Sequence, residues 1–371
     1  MKKLGFGCMR FPLRSPDDPT SVDLEQVKTM VDRFLERGFT YFDTAYFYHK
    51  GTSEGIVRQV LVNRHPRDSF TLADKLPLSM LKDKTREDQA QTFHTQLERC
   101  GVDYFDYYLL HNVNAESYET ALRLGSFSYL LEQKEKGFIR HLGFSFHDSA
   151  KVLDRVLREH PEVEFVQLQL NYLDWESPSV QSRLCYETAL RHGKQVVVME
   201  PVKGGKLADP SPEVAQLFHS HDPNSSLSSW AIRFAASLEQ VIVVLSGMSS
   251  LEQVEDNTCY MSHFVPLSTE ELSLTARAAQ LIRGDGTVPC TACSYCTEGC
   301  PSHIPIPAIL SLYNDSIRAP GEKDYHAEYQ SLPVNSEACV YCGQCRRACP
   351  QHIDVITALQ DAHAVLGEVV G

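Results

Sequence analysis

The stretch VDLEQVKTMVDRFLERGFTYFDTA, residues 22–45, decides how most of the chain is read. It holds a segment of helical period from Val22 to Arg37, then Gly38, suited to the left-handed position after a helix, then an apolar strand from Thr40 to Ala45. The same unit recurs along the chain. Strands are expected at Leu4 to Cys8, Thr40 to Ala45, Phe70 to Lys75, Phe105 to His111, Arg140 to Phe146, Phe165 to Leu170, Gln195 to Glu200 and Val241 to Ser246. Helices are expected at Val22 to Arg37, Ser53 to Val62, Arg86 to Arg99, Tyr118 to Lys136, Ala150 to Glu159, Pro178 to Arg191, Ser226 to Ala236 and Leu251 to Tyr260. Gly101, Gly137 and Gly193 stop helices as Gly38 does. Eight strand–helix pairs favour an α/β fold of the (β/α)8 TIM-barrel kind over residues 1–265. A doubly wound sheet is the alternative, but nothing marks its switch point.

In such a barrel, chemistry is expected where strands end and the following loops begin. Asp43 closes the second strand and Tyr48 lies five residues on; Lys75 ends the third strand and His111 the fourth. Alone, a histidine after Leu109-Leu110 reads as structural, and a lysine at a strand end as reaching for water. Together on neighbouring strands, the four suit delivery of a proton to a carbonyl oxygen while hydride reaches its carbon. A free phenol has a pKa of about 10, too high for a general acid at neutral pH, and a nearby ammonium lowers it. Lys75 would supply that charge and Asp43 would hold Lys75. His111, as a neutral donor, would orient the carbonyl and stabilise the developing oxyanion.

Eight of the twelve cysteines fall in two runs of one spacing, Cys290-x2-Cys293-x2-Cys296-x3-Cys300-Pro301 and Cys339-x2-Cys342-x2-Cys345-x3-Cys349-Pro350. Three thiolates at that spacing wrap one face of a 4Fe-4S cubane, while the fourth points to a second cluster. Crossed ligation follows: Cys290, Cys293 and Cys296 with Cys349, and Cys339, Cys342 and Cys345 with Cys300. Zinc would want paired CxxC elements at a longer separation, and disulfides an oxidising compartment. Residues 285–360 resemble bacterial two-cluster ferredoxins. Cys8, Cys100, Cys185 and Cys259 stand singly and read as small buried apolar residues.

The barrel segment resembles the aldo-keto reductases. The stretches that carry the resemblance are Gly5-Phe6-Gly7-Cys8-Met9, Phe42-Asp43-Thr44-Ala45-Tyr46-Phe47-Tyr48, Ala73-Asp74-Lys75, Leu109-Leu110-His111-Asn112, Leu142-Gly143-Phe144-Ser145, Gln167, Pro201-Val202-Lys203-Gly204-Gly205 and Ser246-Gly247-Met248-Ser249, running on to Asn257. The resemblance implies a TIM barrel with Asp43, Tyr48, Lys75 and His111 as catalytic tetrad. It implies that Ser145 and Gln167 hold a nicotinamide carboxamide, with Gly7, Cys8 and Met9 beside the ring and its ribose. By the same resemblance Asp43, Met199, Pro201, Gly204 and Gly247 line the dinucleotide, and Ser249, Gln253, Asp256 and Asn257 hold its adenosine end. Phe146-His147 stands where the family often has Asn, and Met199 where an aromatic residue usually stacks on the ring. The stretch from Ser249 to Asn257 has no Lys or Arg for a 2′-phosphate and carries Glu252, Glu255 and Asp256. NADP, NAD and flavin are therefore the cofactor candidates beside two 4Fe-4S clusters.

With 371 residues and 43% apolar composition, the chain can bury a large core and a smaller one. Its net charge of −13 disfavours nucleic acid and anionic membranes as partners. The N-terminus lacks a signal-like apolar stretch and no run approaches a membrane span, so a cytoplasmic location is expected. Residues 266–289 read as a helical connector, with Ser268 and Glu271 as a capping box and a break at Gly284-Asp285-Gly286. Residues 290–371 read as a small α+β ferredoxin-like domain, with a helix from Ile304 to Tyr313 and a surface loop from Arg318 to Glu328. Arg10, His49, Lys50 and Trp175 are the expected pocket residues.

The leading expectation is an oxidoreductase that reduces a small carbonyl compound with NAD(P)H, the clusters serving electron transfer or docking. The alternative is an electron-transfer protein that couples a flavin or nicotinamide in the barrel to an external redox protein such as a ferredoxin. In a third reading the clusters pin residues 266–371 to the barrel.

Overall fold

The computed structural model describes residues 2–16, 18–81 and 83–367. Eight strands, β1 (Leu4–Gly7), β2 (Tyr41–Asp43), β3 (Thr71–Leu76), β4 (Phe105–Val113), β5 (Ile139–Phe146), β6 (Phe165–Gln169), β7 (Gln195–Met199) and β8 (Val241–Ser246), pair in parallel and in sequence order. β8 closes on β1, so the sheet is a barrel. Tyr41, Ala73, Leu109, Phe165, Val197 and Val243 fill its interior, so the barrel is packed and not a pore.

Among the described residues ten α-helices accompany these strands: α1 (Leu24–Glu36), α2 (Ser53–Val57), α3 (Arg86–Cys100), α4 (Ala115–Leu124), α5 (Ser126–Glu135), α6 (Ala150–Glu159), α7 (Ser182–Arg191), α8 (Pro212–His221), α9 (Leu227–Ala236) and α10 (Leu251–Ser262). The expected stops at Gly38, Gly101, Gly137 and Gly193 all have positive φ. Three expected helices differ. The one drawn from Tyr118 to Lys136 is two, because Gly125 at φ 63° ends α4 in a left-handed cap before α5 begins. The one from Ser53 keeps α-geometry only to Val57 and then widens into a π-turn over Arg58–Val62. The one from Pro178 starts at Ser182, after Gln181 in a left-handed conformation. Helix α8, with Pro212 in its first turn, was not expected.

Beyond the barrel lie α11 (Thr269–Arg283), α12 (Tyr295–Glu298), α13 (Ile306–Arg318), α14 (Tyr325–Gln330), α15 (Gln344–Ala348) and α16 (Val355–Leu366). Ser268 and Glu271 form the expected capping box. More than a connector, α11 buries Ala278, Ala279 and Ile282 in one core with Phe218 of α8 and Trp230 of α9. The tail has its own core, in which Ile309 and Leu310 of α13 meet Leu359 and Ala362 of α16. Its expected α+β character reduces to helices and loops, since no strand occurs there among the described residues. The helix expected at Ile304 to Tyr313 runs on to Arg318, and part of the expected surface loop is α14, with Tyr325 and Tyr329 buried.

Candidate active site and cysteine cavities

Register brings the polar strand ends to one level. Asp43 lies opposite Gly7 and Ala73, Lys75 opposite Leu109, Ser145 opposite Gln167, and Gln169 opposite Met199. Lys75 Nζ donates to Asp43 Oδ1 at 2.6 Å, to the Thr44 carbonyl at 2.7 Å and to the Tyr48 hydroxyl at 3.3 Å. The His111 ring lies 6.2 Å from the Tyr48 ring, nearly perpendicular to it, and stacks on Phe47 at 4.8 Å. All four expected catalytic side chains are buried, and they line one cavity of about 520 Å³.

The electrostatics differ from expectation at the phenol. Burial first, and then the Asp43 carboxylate, hold the Tyr48 hydroxyl well above its ordinary pKa. The expected downward pull by Lys75 does not prevail, because burial of the hydroxyl, followed by the Asp43 carboxylate, outweighs it. Tyr48 is therefore a protonated phenol at neutral pH, the form a proton donor needs. Burial, followed by the Lys75 charge, keeps His111 well below the usual imidazole range and so neutral. Burial also raises Asp43, with Lys75 opposing.

Most expected cofactor residues line the same cavity: Gly7, Met9, Asp43, Ser145, Gln167, Met199, Pro201, Gly204, Gly247, Ser249, Gln253 and Asn257. Gln167 Oε1 is buried without a hydrogen-bond partner, as suits a residue awaiting the N–H of a bound amide. Two expected residues fall elsewhere. Cys8 turns its thiol into the core beneath the strand, toward the Phe6 carbonyl, and Asp256 accepts from Ser228 Oγ at 3.0 Å outside the cavity lining. Of the expected pocket residues, Arg10 lines this cavity, whereas His49 and Lys50 line a neighbouring cleft that shares Tyr48 with it. Trp175 lines neither, packing instead against Tyr186 and Phe234.

Sequence reasoning missed several wall residues, among them Glu200, Cys293, Tyr295 and Gln351. Glu200 lines the cavity at φ 55°, a left-handed conformation rare for a non-glycine residue. Burial raises its carboxyl, with Arg10 and Lys203 opposing. The others, Cys293, Tyr295 and Gln351, come from the tail, which roofs the barrel mouth. Arg10 Nη2 donates to the Thr291 carbonyl at 2.6 Å, and a Cβ on Gly204 would stand 2.7 Å from the Thr291 backbone.

The eight tail cysteines form two groups. Cys290, Cys293, Cys296 and Cys349 line one small cavity, and Cys300, Cys339, Cys342 and Cys345 another. Each group takes three thiols from one run and the fourth from the other. Among the described residues no group of three or more His, Cys, Asp or Glu side chains is placed to hold a single metal ion. Of the four isolated cysteines, Cys8, Cys100 and Cys185 are buried, but Cys259 is exposed, contrary to expectation.

Residues 3–279, which supply the barrel and the Lys75 cluster, match the Aldo/keto reductase family. The chain belongs to that family. Residues 289–353, with both cysteine groups, match a 4Fe-4S dicluster domain. Aldo-keto reductase str7 of Strobilurus tenacellus is 29% identical over 56% of this chain and 60% of its own length. L-galactose dehydrogenase of Arabidopsis thaliana is 24% identical over 73% of this chain and 88% of its own. The holo form of aldo-keto reductase AKR11C1 from Bacillus halodurans aligns with a TM-score of 0.59 at 25% identity, covering 74% of this chain and 91% of that one. An aldo-keto reductase from Klebsiella pneumoniae in complex with NADPH aligns at 0.57 and 18% identity, over 75% and 90%. The family match and these relatives support an NAD(P)H-dependent oxidoreductase. Among the described residues of this aldo/keto reductase, no helix is long and apolar enough to cross a membrane.

Proposed function

We propose that the protein reduces a small carbonyl compound with NAD(P)H, using Tyr48, Lys75, Asp43 and His111. The observation that carries this reading is the buried Lys75 ammonium, bonded to Asp43 and Tyr48 in the wall of one cavity. When bound, the nicotinamide supplies hydride. Tyr48 donates its hydroxyl proton to the carbonyl oxygen, and Lys75 stabilises the phenolate left behind. Asp43 holds Lys75, and neutral His111 donates a hydrogen bond that orients the oxygen. Gln167 and Ser145 would hold the carboxamide, Met199 would supply an apolar wall for the nicotinamide, and Ser249, Gln253 and Asn257 would hold the adenosine end.

Two 4Fe-4S clusters fit the cysteine groups by crossed ligation, the first on Cys290, Cys293, Cys296 and Cys349, the second on Cys339, Cys342, Cys345 and Cys300. That cysteine usage suits a reducing, cytoplasmic setting. The test is nicotinamide oxidation by the cluster-loaded protein across a panel of aldehydes and ketones. Turnover with at least one compound, lost in Tyr48→Phe, is expected; none with any compound overturns the reading.

One observation favours a second reading. Cys293 belongs to the first cysteine group and also lines the cavity that contains Tyr48. A flavin there would take two electrons as hydride from a nicotinamide and release them one at a time through the clusters to an external redox protein. Flavin bands in the absorbance spectrum of the purified protein would support it.

A further inference from the structure

Among the described residues only Cys293 and Gln351 line both the catalytic cavity and the cavity of the first cysteine group, so they form the partition between the two. Gln351 lies two residues after Cys349, and its amide is locked from the barrel side. Its Oε1 accepts from Gln169 Nε2 at 2.7 Å and from Lys203 Nζ, while its Nε2 donates to Gln169 Oε1 at 3.0 Å. Lys203 Nζ also donates to both Asp174 oxygens, at 2.8 and 2.7 Å, which uses all three ammonium donors. Asp174 Oδ2 accepts further from Gln169 Nε2 at 2.7 Å and from Asn171 Nδ2 at 2.8 Å. All five side chains are buried.

A mere fastening of tail to barrel could use surface groups. This one sets a desolvated charge pair behind a single amide, and that amide, with Cys293, stands between the catalytic cavity and the cavity of the first cysteine group. Charge added on either side is felt across the wall, because screening inside the protein is weak. The amide pair keeps the Cys349 arm at a fixed distance from the cavity.

We propose that Gln351 is a positioning residue that couples the two sites, so that a nucleotide bound beside Tyr48 shifts the reduction potential of the first cluster and not of the second. The inference rests on the nucleotide and cluster sites of the proposed function. By reciprocity, reduction of that cluster changes nucleotide affinity by the same factor.

The test is a redox titration of the full, cluster-loaded chain followed by electron paramagnetic resonance, with and without tetrahydro-NADP, a nucleotide that cannot transfer hydride. Two cluster signals are expected, one of them displaced by the nucleotide. A coupling of about tenfold appears as about 59 mV for a one-electron centre. Gln351→Ala should keep both signals and lose the displacement. Gln169→Ala breaks the same amide pair without touching the tail and should do likewise. Two signals with no displacement in the natural chain overturn the inference and leave the clusters standing. Fewer than two signals overturn the cluster reading itself, and a displacement that persists in both variants overturns the role of Gln351.

Discussion

Lys75 bonds to three oxygens at once, and removing any of them redistributes its charge. Tyr48→Phe deletes the proton donor and keeps the ring, so kcat should fall by about 10²-fold or more with little change in nucleotide affinity. The pH profile follows from two directions. Tyr48 is held well above its ordinary value and stays protonated, while His111 is held well below its own and stays neutral. The rate should therefore be flat from about pH 6 to about pH 9. A limb near the ordinary histidine pKa that disappears in His111→Gln would contradict this. At this scale much was legible, because an Asp, a Lys and a His at the ends of neighbouring strands can point only to one barrel mouth. The upward shift at Tyr48 was not, since it depends first on how deeply the folded barrel mouth buries the hydroxyl and then on the Asp43 carboxylate near it.

Among the elements, the strand order and the α11 cap could be read from alternation and from Ser268 and Glu271. Gly125 was visible too, yet helical period on both sides of it hid the break between α4 and α5. The loop after β7 gives a sharp test. Gly204 has φ 65° and presses against Thr291, so Gly204→Ala adds both backbone strain and a contact at 2.7 Å with the tail backbone. Tail docking should weaken by about 1–3 kcal/mol, read as faster proteolysis in the segment before Cys290. At the end of β5, burial, followed by the charge of His352, lowers His147 to about 4 from an ordinary 6.5. The unfolded chain then takes up this proton first as pH falls. Stability is complete above about pH 6.5 and declines toward about pH 4, by at most about 3 kcal/mol. His147→Asn should flatten that part of the melting-temperature profile; an unchanged slope would count against it.

For the whole molecule, the packing of tail on barrel was the least legible feature. Gln169 and Gln351 meet across 182 residues of sequence, and nothing local to either announces the pairing. The cysteine spacing announced the crossed groups but not that one of them lies against the catalytic cavity. The two groups should therefore respond differently to loss of a ligand. Cys293→Ser should disturb the first cluster and also raise the KM for the carbonyl substrate, because Cys293 lines the cavity of Tyr48. Cys342→Ser, outside that wall, should remove cluster signal with KM little changed. Equal effects on KM would mean that the tail acts only as a fold.

The central claim is two-electron transfer to a carbonyl carbon beside Tyr48. Its most direct test follows deuterium from reduced nicotinamide labelled at its transferable position, in single turnover by the cluster-loaded protein. Deuterium bound to the alcohol carbon of the product, and absent with Tyr48→Phe, is the predicted result. Oxidation of the nucleotide with its deuterium lost to water, and none on the product carbon, would contradict it.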